Sequence, residues 1–225
     1  MLIIGHRGAR GVEPENTLRA VRTGMACANY VEVDARMSRD GIPIIMHDPT
    51  LDRTTNGTGL VNRYTLKELK TLDAGMGEHI PTLEEVCSLV KGHCGLFVEI
   101  KEPGSEALVC SVLGQKPPEN LFIISFHPES IVSAQDLLPG VKTGIIYSRE
   151  LTDHPGAAEG LGAAAILLKF ALLNGDLVNE CRKHNLVIIS WTLDTEEEFR
   201  MADDLGIDGL ATDDPCRARH YFPDR

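Results

Sequence analysis

The stretch Leu2-Ile3-Ile4-Gly5-His6-Arg7-Gly8, taken with Tyr30-Val31-Glu32-Val33-Asp34-Ala35, decides the fold. Each segment starts as a short apolar, β-branched run, and polar side chains gather at or near its end. Between them, residues 15 to 28 place apolar side chains at helical spacing, with Asn16-Thr17 as cap residues. A strand, a helix and a second strand at this distance form a parallel βα unit. The rhythm continues outward. Leu96–Ile100, Leu121–Ser125, Val141–Ile146, Ala164–Leu168, Leu186–Trp191 and Ile207–Ala211 read as further strands. Thr82–Lys91, Ser105–Leu113, Pro128–Leu137, Leu173–His184 and Thr195–Leu205 read as amphipathic helices. Eight strands alternating with helices in 225 residues fit an α/β fold, a compact (β/α)8 TIM barrel. An open doubly wound sheet is the competitor. No GxGxxG follows a strand, and Gly5–Gly11 is wrongly spaced for a dinucleotide loop.

Residues 40 to 81 interrupt the rhythm. Asp40-Gly41 signals a hairpin turn, Ile42–Met46 an extra short strand, and Leu66–Leu72 a short helix. Between these lies the polar loop Asp52-Arg53-Thr54-Thr55-Asn56-Gly57-Thr58-Gly59. The expectation is one domain over 1–225 with a small insertion after the second strand. That insertion, at about 48–80, would form a cap beside the site.

A formal net charge of -11 argues against nucleic-acid binding, which needs a basic footprint. No apolar run is long enough to span a bilayer, and Met1–Gly5 lacks the pattern of a signal peptide. The expected location is the cytoplasm, without stable membrane association. The six cysteines form no CxxC pair and read as small buried hydrophobes with free thiols in a reducing compartment.

In a barrel of this kind chemistry sits at the C-terminal ends of the strands. Those ends deliver His6 and Arg7, Glu32 and Asp34, His47, Glu99 and Lys101, Ser125-Phe126-His127, Lys169, Trp191, and Thr212-Asp213. Residues two apart on a strand share a face, so Glu32 and Asp34 project together. Adjacent carboxylates repel unless a proton or cation relieves them, and Glu99 can add a third. Three carboxylates suit a hard divalent cation, Mg²⁺ or Ca²⁺. Arg7 and Lys101 complete an anion site, and the alternative for each is an ion pair with those carboxylates. His6 and His47 are the natural general acid and base. Trp191 either packs over an organic part of a substrate or covers the core. His127 precedes a helix-starting proline, and His79, His93, His154, His184 and His220 read as surface residues. No GxSxG elbow supports a serine nucleophile, so the attacking oxygen is water or a substrate hydroxyl.

These motifs make the chain resemble the glycerophosphodiester phosphodiesterase family. The resemblance is carried by His6-Arg7-Gly8, Glu15-Asn16-Thr17, Glu32-Val33-Asp34, His47-Asp48 and Leu51-Asp52-Arg53-Thr54-Thr55 with Gly57. It continues through Pro81-Thr82-Leu83-Glu84-Glu85, Glu99-Ile100-Lys101, Ser125-Phe126, Trp191-Thr192, and Gly206-Ile207-Asp208-Gly209 to Thr212-Asp213. It implies a TIM barrel, a divalent ion on Glu32, Asp34 and Glu99, and His6 and His47 as the acid-base pair. It also implies that Arg7 and Lys101 grip the phosphate, that Phe126 and Trp191 line the pocket, and that Asn16 lies close by. The implied activity is hydrolysis of small-molecule sn-glycerol-3-phosphodiesters, through a cyclic phosphate, to glycerol 3-phosphate and an alcohol. The alternative is a lysophospholipase D acting on lysophospholipids. A non-catalytic phosphate-ester binder would have lost a histidine or carboxylate, and an isomerase or lyase would leave the ester intact. Two departures from the family pattern stand out. The insertion is short, with Asp73-Ala74-Gly75 running almost directly into Ile80-Pro81-Thr82, and Asp194 replaces the usual asparagine.

Overall fold

The computed structural model describes residues 1–149 and 153–223. Its strands are β1 (Leu2–Gly5), β2 (Tyr30–Met37), β3 (Pro43–Ile45), β4 (Gly95–Ile100), β5 (Leu121–Ser125), β6 (Lys142–Tyr147), β7 (Ala165–Lys169), β8 (Val187–Trp191) and β9 (Gly209–Thr212). The helices are α1 (Leu18–Met25), α2 (Leu66–Leu69), α3 (Leu83–Val90), α4 (Glu106–Gln115), α5 (Pro128–Leu137), α6 (His154–Gly160), α7 (Gly175–Lys183), α8 (Glu196–Leu205) and α9 (Pro215–Tyr221). The sheet runs β1-β9-β8-β7-β6-β5-β4-β2, and a further parallel pairing of β1 with β2 closes it into an eight-stranded barrel. β3 lies antiparallel on the far end of β2.

Strand alternation sorts the core into two compartments. On β2, Val31, Val33 and Ala35 face outward and pack with Val86, Val90 and Val109 from α3 and α4. Glu32 and Asp34 take the inward positions between them. Glu99 joins them from β4, and most other inward positions are apolar: Ile4, Phe97, Phe122, Ile124, Ile146, Leu167 and Ile189 fill the barrel. Phe97 and Phe122 stack at 4.6 Å, with Tyr30 edge-on to both, and plug the N-terminal end. Residues between β3 and α3 have a small core of their own, with Leu51, Val61, Leu69 and Ile80 around Ile44.

Sequence and structure differ in identifiable places. α1 starts at Leu18, capped by Thr17, because Asn16 adopts a left-handed φ of 58° that no helix accepts. The short helix at 66 stops at Leu69. α6 and α9 were not anticipated from the pattern. Both begin with an Asp cap and a proline, but at seven residues each they are too short to display a periodicity. His154, expected at the surface, is buried inside α6, where its ring meets Tyr147 edge-on at 4.9 Å. The free-thiol expectation fails for two cysteines: Cys27 and Cys216, 189 positions apart, form a disulfide. Closure of the barrel brings the end of α1 beside α9, with the two Cα atoms 4.9 Å apart, within bridging range. Cys87, Cys94, Cys110 and Cys181 are free. Among the described residues no helix is long and apolar enough to cross a membrane.

Candidate active site

The loop after β1 sets the site's foundations. Gly8 has a φ of 85°, and a Cβ there would lie 2.5 Å from the backbone of Ala20, so only glycine lets the loop lie against α1. Arg7 is itself left-handed, with φ 49°, and its backbone N–H donates to Glu32 Oε2 at 2.8 Å. Asn16 donates its amide to Asp34 Oδ2 at 2.8 Å. Strained backbone at a non-glycine residue persists where surrounding contacts over-determine it, commonly at functional sites.

Glu32, Asp34 and Glu99 converge: one oxygen from each lies within 4.8 Å of the others, and all three residues are buried. Asp34 and Glu99 are register partners on β2 and β4. Lys101 Nζ sits 2.7 Å from Glu99 and 3.3 Å from Asp34. Burial, reinforced by Asp34 and Glu99, pushes Glu32 well above the usual carboxylate range. Glu99 rises to about 7 through burial beside Asp34. Burial acts the same way on Asp34, but Lys101, Arg7 and His47 outweigh it and hold that carboxyl down at about 2. Glu32 Oε1 is buried with no hydrogen-bond partner among the described residues. An orphaned carboxylate oxygen facing two other hard oxygen donors suits a divalent cation.

Both histidines are held alike. His6 Nδ1 donates to Asp213 Oδ1 and His47 Nδ1 to Asp48 Oδ1, each at 2.7 Å. That tautomer leaves each Nε2 free to take or give a proton. Burial, with Lys101 and Arg7 nearby, holds His47 below the usual histidine range against the pull of Asp34 and Asp48. Arg7 pairs with Glu15 at 2.7 Å, and Arg53 bridges Glu15 to Asp48 at the same distance. The loop after β3 is thereby bound to the mouth.

The resulting cavity holds about 270 Å³. His6, Arg7, Glu32, His47, Glu99 and Lys101 line one half, and Ile124, Phe126, Ile146, Leu167, Trp191 and Ala211 line the other. Phe126 and Trp191 meet edge to face at 5.8 Å. A larger cleft of about 460 Å³ lies at the opposite end of the barrel, near Tyr30, Asn120 and Lys142, and gathers no comparable set of reactive groups.

The candidate residues read from sequence thus meet at one mouth: eight line the cavity, while Asp34 and Asn16 sit directly behind it. His127 lies outside it, capping α5. The roles of Asp48, Asp213 and Arg53 were missed. Asp48 adjoins His47 in sequence and could have been found, whereas Asp213 reaches His6 across 207 positions. Arg10, unmarked in sequence, also lines the cavity. Asp194 accepts from Thr212 Oγ1 at 3.0 Å and from the Asp213 backbone N–H at 2.7 Å. The exchange of asparagine for aspartate therefore keeps an acceptor that fixes the turn carrying Asp213.

A (β/α)8 barrel with a carboxylate cluster, two carboxylate-held histidines and two phosphate-compatible cations at its C-terminal mouth defines a class of hydrolase-like sites. The sequence pattern of the glycerophosphoryl diester phosphodiesterase family matches residues 6–217. A glycerophosphodiester phosphodiesterase of Caldanaerobacter subterraneus subsp. tengcongensis is 34% identical, with 95% of this chain and 94% of the relative covered. One from Bacillus subtilis is 32% identical over 96% and 84% of the two chains. Among solved structures, an Oleispira antarctica phosphodiesterase in complex with the product sn-glycerol-3-phosphate superposes with a TM-score of 0.93 and 30% identity, covering 100% and 97%. The chain belongs to the glycerophosphoryl diester phosphodiesterase family.

Proposed function

We propose that this protein is a divalent-cation-dependent enzyme that hydrolyses sn-glycerol-3-phosphodiesters to sn-glycerol 3-phosphate and an alcohol. The observation that carries this reading is the pair of histidines, each with Nδ1 tied to a carboxylate, beside the three-carboxylate cluster in one cavity. Glu32, Asp34 and Glu99 would hold the cation, Mg²⁺ or Ca²⁺, which supplies Lewis-acid neutralisation of charge on the phosphoryl oxygens. Arg7 and Lys101 face the same oxygens and offset the rest of that charge. His47, kept largely unprotonated by burial, accepts the proton of a glycerol hydroxyl as that oxygen attacks phosphorus. His6 delivers its Nε2 proton to the departing alcohol oxygen. The cyclic phosphate so formed is opened by water with the roles reversed: His6 takes the water's proton and His47 returns one to the glycerol oxygen. Phe126 and Trp191 cover the organic part of the substrate and exclude water. The segment at about 48–80 caps the mouth through Arg53.

The test is product formation by chelator-treated protein on glycerophosphoethanolamine and glycerophosphocholine, with Mg²⁺, Ca²⁺ or Mn²⁺ returned. Metal-restored glycerol 3-phosphate supports the reading. Full activity under chelation removes the cation from it, and no product with any cation removes the substrate class.

A second reading, a lysophospholipase D, is favoured by Phe126, which lines the cavity yet is exposed, so that apolar surface runs from the pocket to solvent. Faster release of glycerol-linked product from a long-chain lysolipid than from glycerophosphoethanolamine would select it.

A further inference from the structure

Arg10 is a charged cavity residue that neither the acid-base pair nor the phosphate grip uses. Its backbone N–H is held by the His6 carbonyl, and the next residue, Gly11, donates to the Asp213 carbonyl at 2.8 Å. Its Nε donates to Asp213 Oδ2 at 2.8 Å. The main chain at Arg10 is thereby anchored, and its guanidinium is held through Nε. Its two Nη groups have no partner among the described residues, and the side chain is 35% exposed as it lines the cavity. A planar fork with its other contacts satisfied is preorganised for a carboxylate or similar acceptor.

The carboxylates beside Arg10 and the two histidines are already committed. Glu15 is shared by Arg7 and Arg53, Asp48 by His47 and Arg53, and Asp213 by His6 and Arg10. Glu32, Asp34 and Glu99 are gathered as one cluster, with Lys101 against Asp34 and Glu99. Among the described residues, none of these carboxylates is left free to receive a cationic alcohol group. Nor do the aromatic residues form a cage for one: Phe126 lies edge-on to Trp191, and Lys101 Nζ already stands 5.8 Å from the centre of its ring. Lys169 lies two positions beyond Leu167 on β7, on the same strand face, and adds an exposed cation without an ion-pair partner among the described residues.

We propose that Arg10 is a specificity residue: its free Nη pair recognises a carboxylate on the leaving alcohol, so the enzyme favours diesters with a carboxylate-bearing alcohol group over those with only an ammonium group. This rests on the phosphodiesterase reading above. Glycerophosphoserine and glycerophosphoethanolamine isolate the feature, since their alcohols differ by one carboxylate.

The experiment measures kcat/KM for both diesters in the metal-loaded wild type, Arg10→Gln and Arg10→Lys, with folding checked by circular dichroism. A charge-assisted, bidentate contact predicts a wild-type preference for the serine diester of about tenfold or more. Arg10→Gln should cut that ratio about tenfold, with Arg10→Lys in between. Because both substrates use the same His6–Asp213 pair, a disturbance of catalysis alone moves both values together and leaves the ratio intact. That outcome, or a wild-type preference for ethanolamine, overturns the proposal. If Arg10→Gln does not fold, a ratio in Arg10→Lys equal to the wild type's overturns it, and a reduced one supports it. A wild type that cleaves neither diester fails the parent reading, and this one with it; cleavage of both with an unaltered ratio fails Arg10 alone.

Discussion

The two halves of the barrel mouth are built on the same strand alternation and end up in opposite physical states. Over β1, β2 and β4 the inward positions carry His6, Glu32, Asp34, Glu99 and Lys101; over β5 to β8 they carry Ile124, Phe126, Ile146, Leu167 and Trp191. The apolar half is at rest, since its side chains bury one another at no electrostatic cost. The charged half is not. Burial pushes Glu32 and Glu99 toward their protonated forms, and Asp34 stays ionised through Lys101 and Arg7. A cation held by the three carboxylates would relieve what the fold leaves in tension. A barrel can thus concentrate its local conflict on the strands that do chemistry and keep the rest as a packed wall.

Removing a proton carrier is the hardest test of that division. His6→Ala and His47→Ala should each lower kcat by roughly 100- to 10,000-fold, with an unchanged circular dichroism spectrum. If a wall substitution such as Leu167→Val lowers kcat equally, the division of labour is wrong.

A smaller loss should follow when a histidine is kept and its anchor changed. Asp213→Asn removes the acceptor for His6 Nδ1 and favours the other tautomer. Steady-state kinetics should show kcat reduced roughly a hundredfold, less than for a fully buried triad aspartate. A change confined to KM would make Asp213 a surface ion-pair partner of Arg10 only.

On the apolar side, Trp191→Ala should weaken substrate binding more than turnover, by about tenfold in kcat/KM and mainly through KM. An equal fall in kcat would move Trp191 into the reacting half.

The last effect concerns stability and leaves turnover by the metal-loaded enzyme untouched. Glu99, raised to about 7 from an ordinary 4.5, binds its proton more tightly folded than unfolded. Its contribution is full below 4.5 and is lost as the pH climbs through 7. Chelated protein should therefore lose roughly 2 to 3 kcal/mol between pH 5 and pH 8 from this group, and Mg²⁺ should raise the melting temperature more at pH 8 than at pH 5. Equal metal-induced shifts at the two pH values would detach the cation from these carboxylates.

The sequence by itself determined the barrel and named most of the side chains that meet at its mouth. Period-two alternation in Tyr30–Ala35, and polar residues at the ends of successive apolar runs, are local signals that survive without coordinates. His6, Glu32, Asp34, His47, Glu99 and Lys101 were legible because each closes or interrupts a strand. Only the tertiary structure decided the contacts that closure creates. The Asp213 carboxylate on His6, the Cys27–Cys216 disulfide and the Glu15–Arg53–Asp48 bridge join residues remote in sequence. β1 meets β9 only when the sheet curls shut, and no periodicity along the chain encodes which side chains then face each other across that seam.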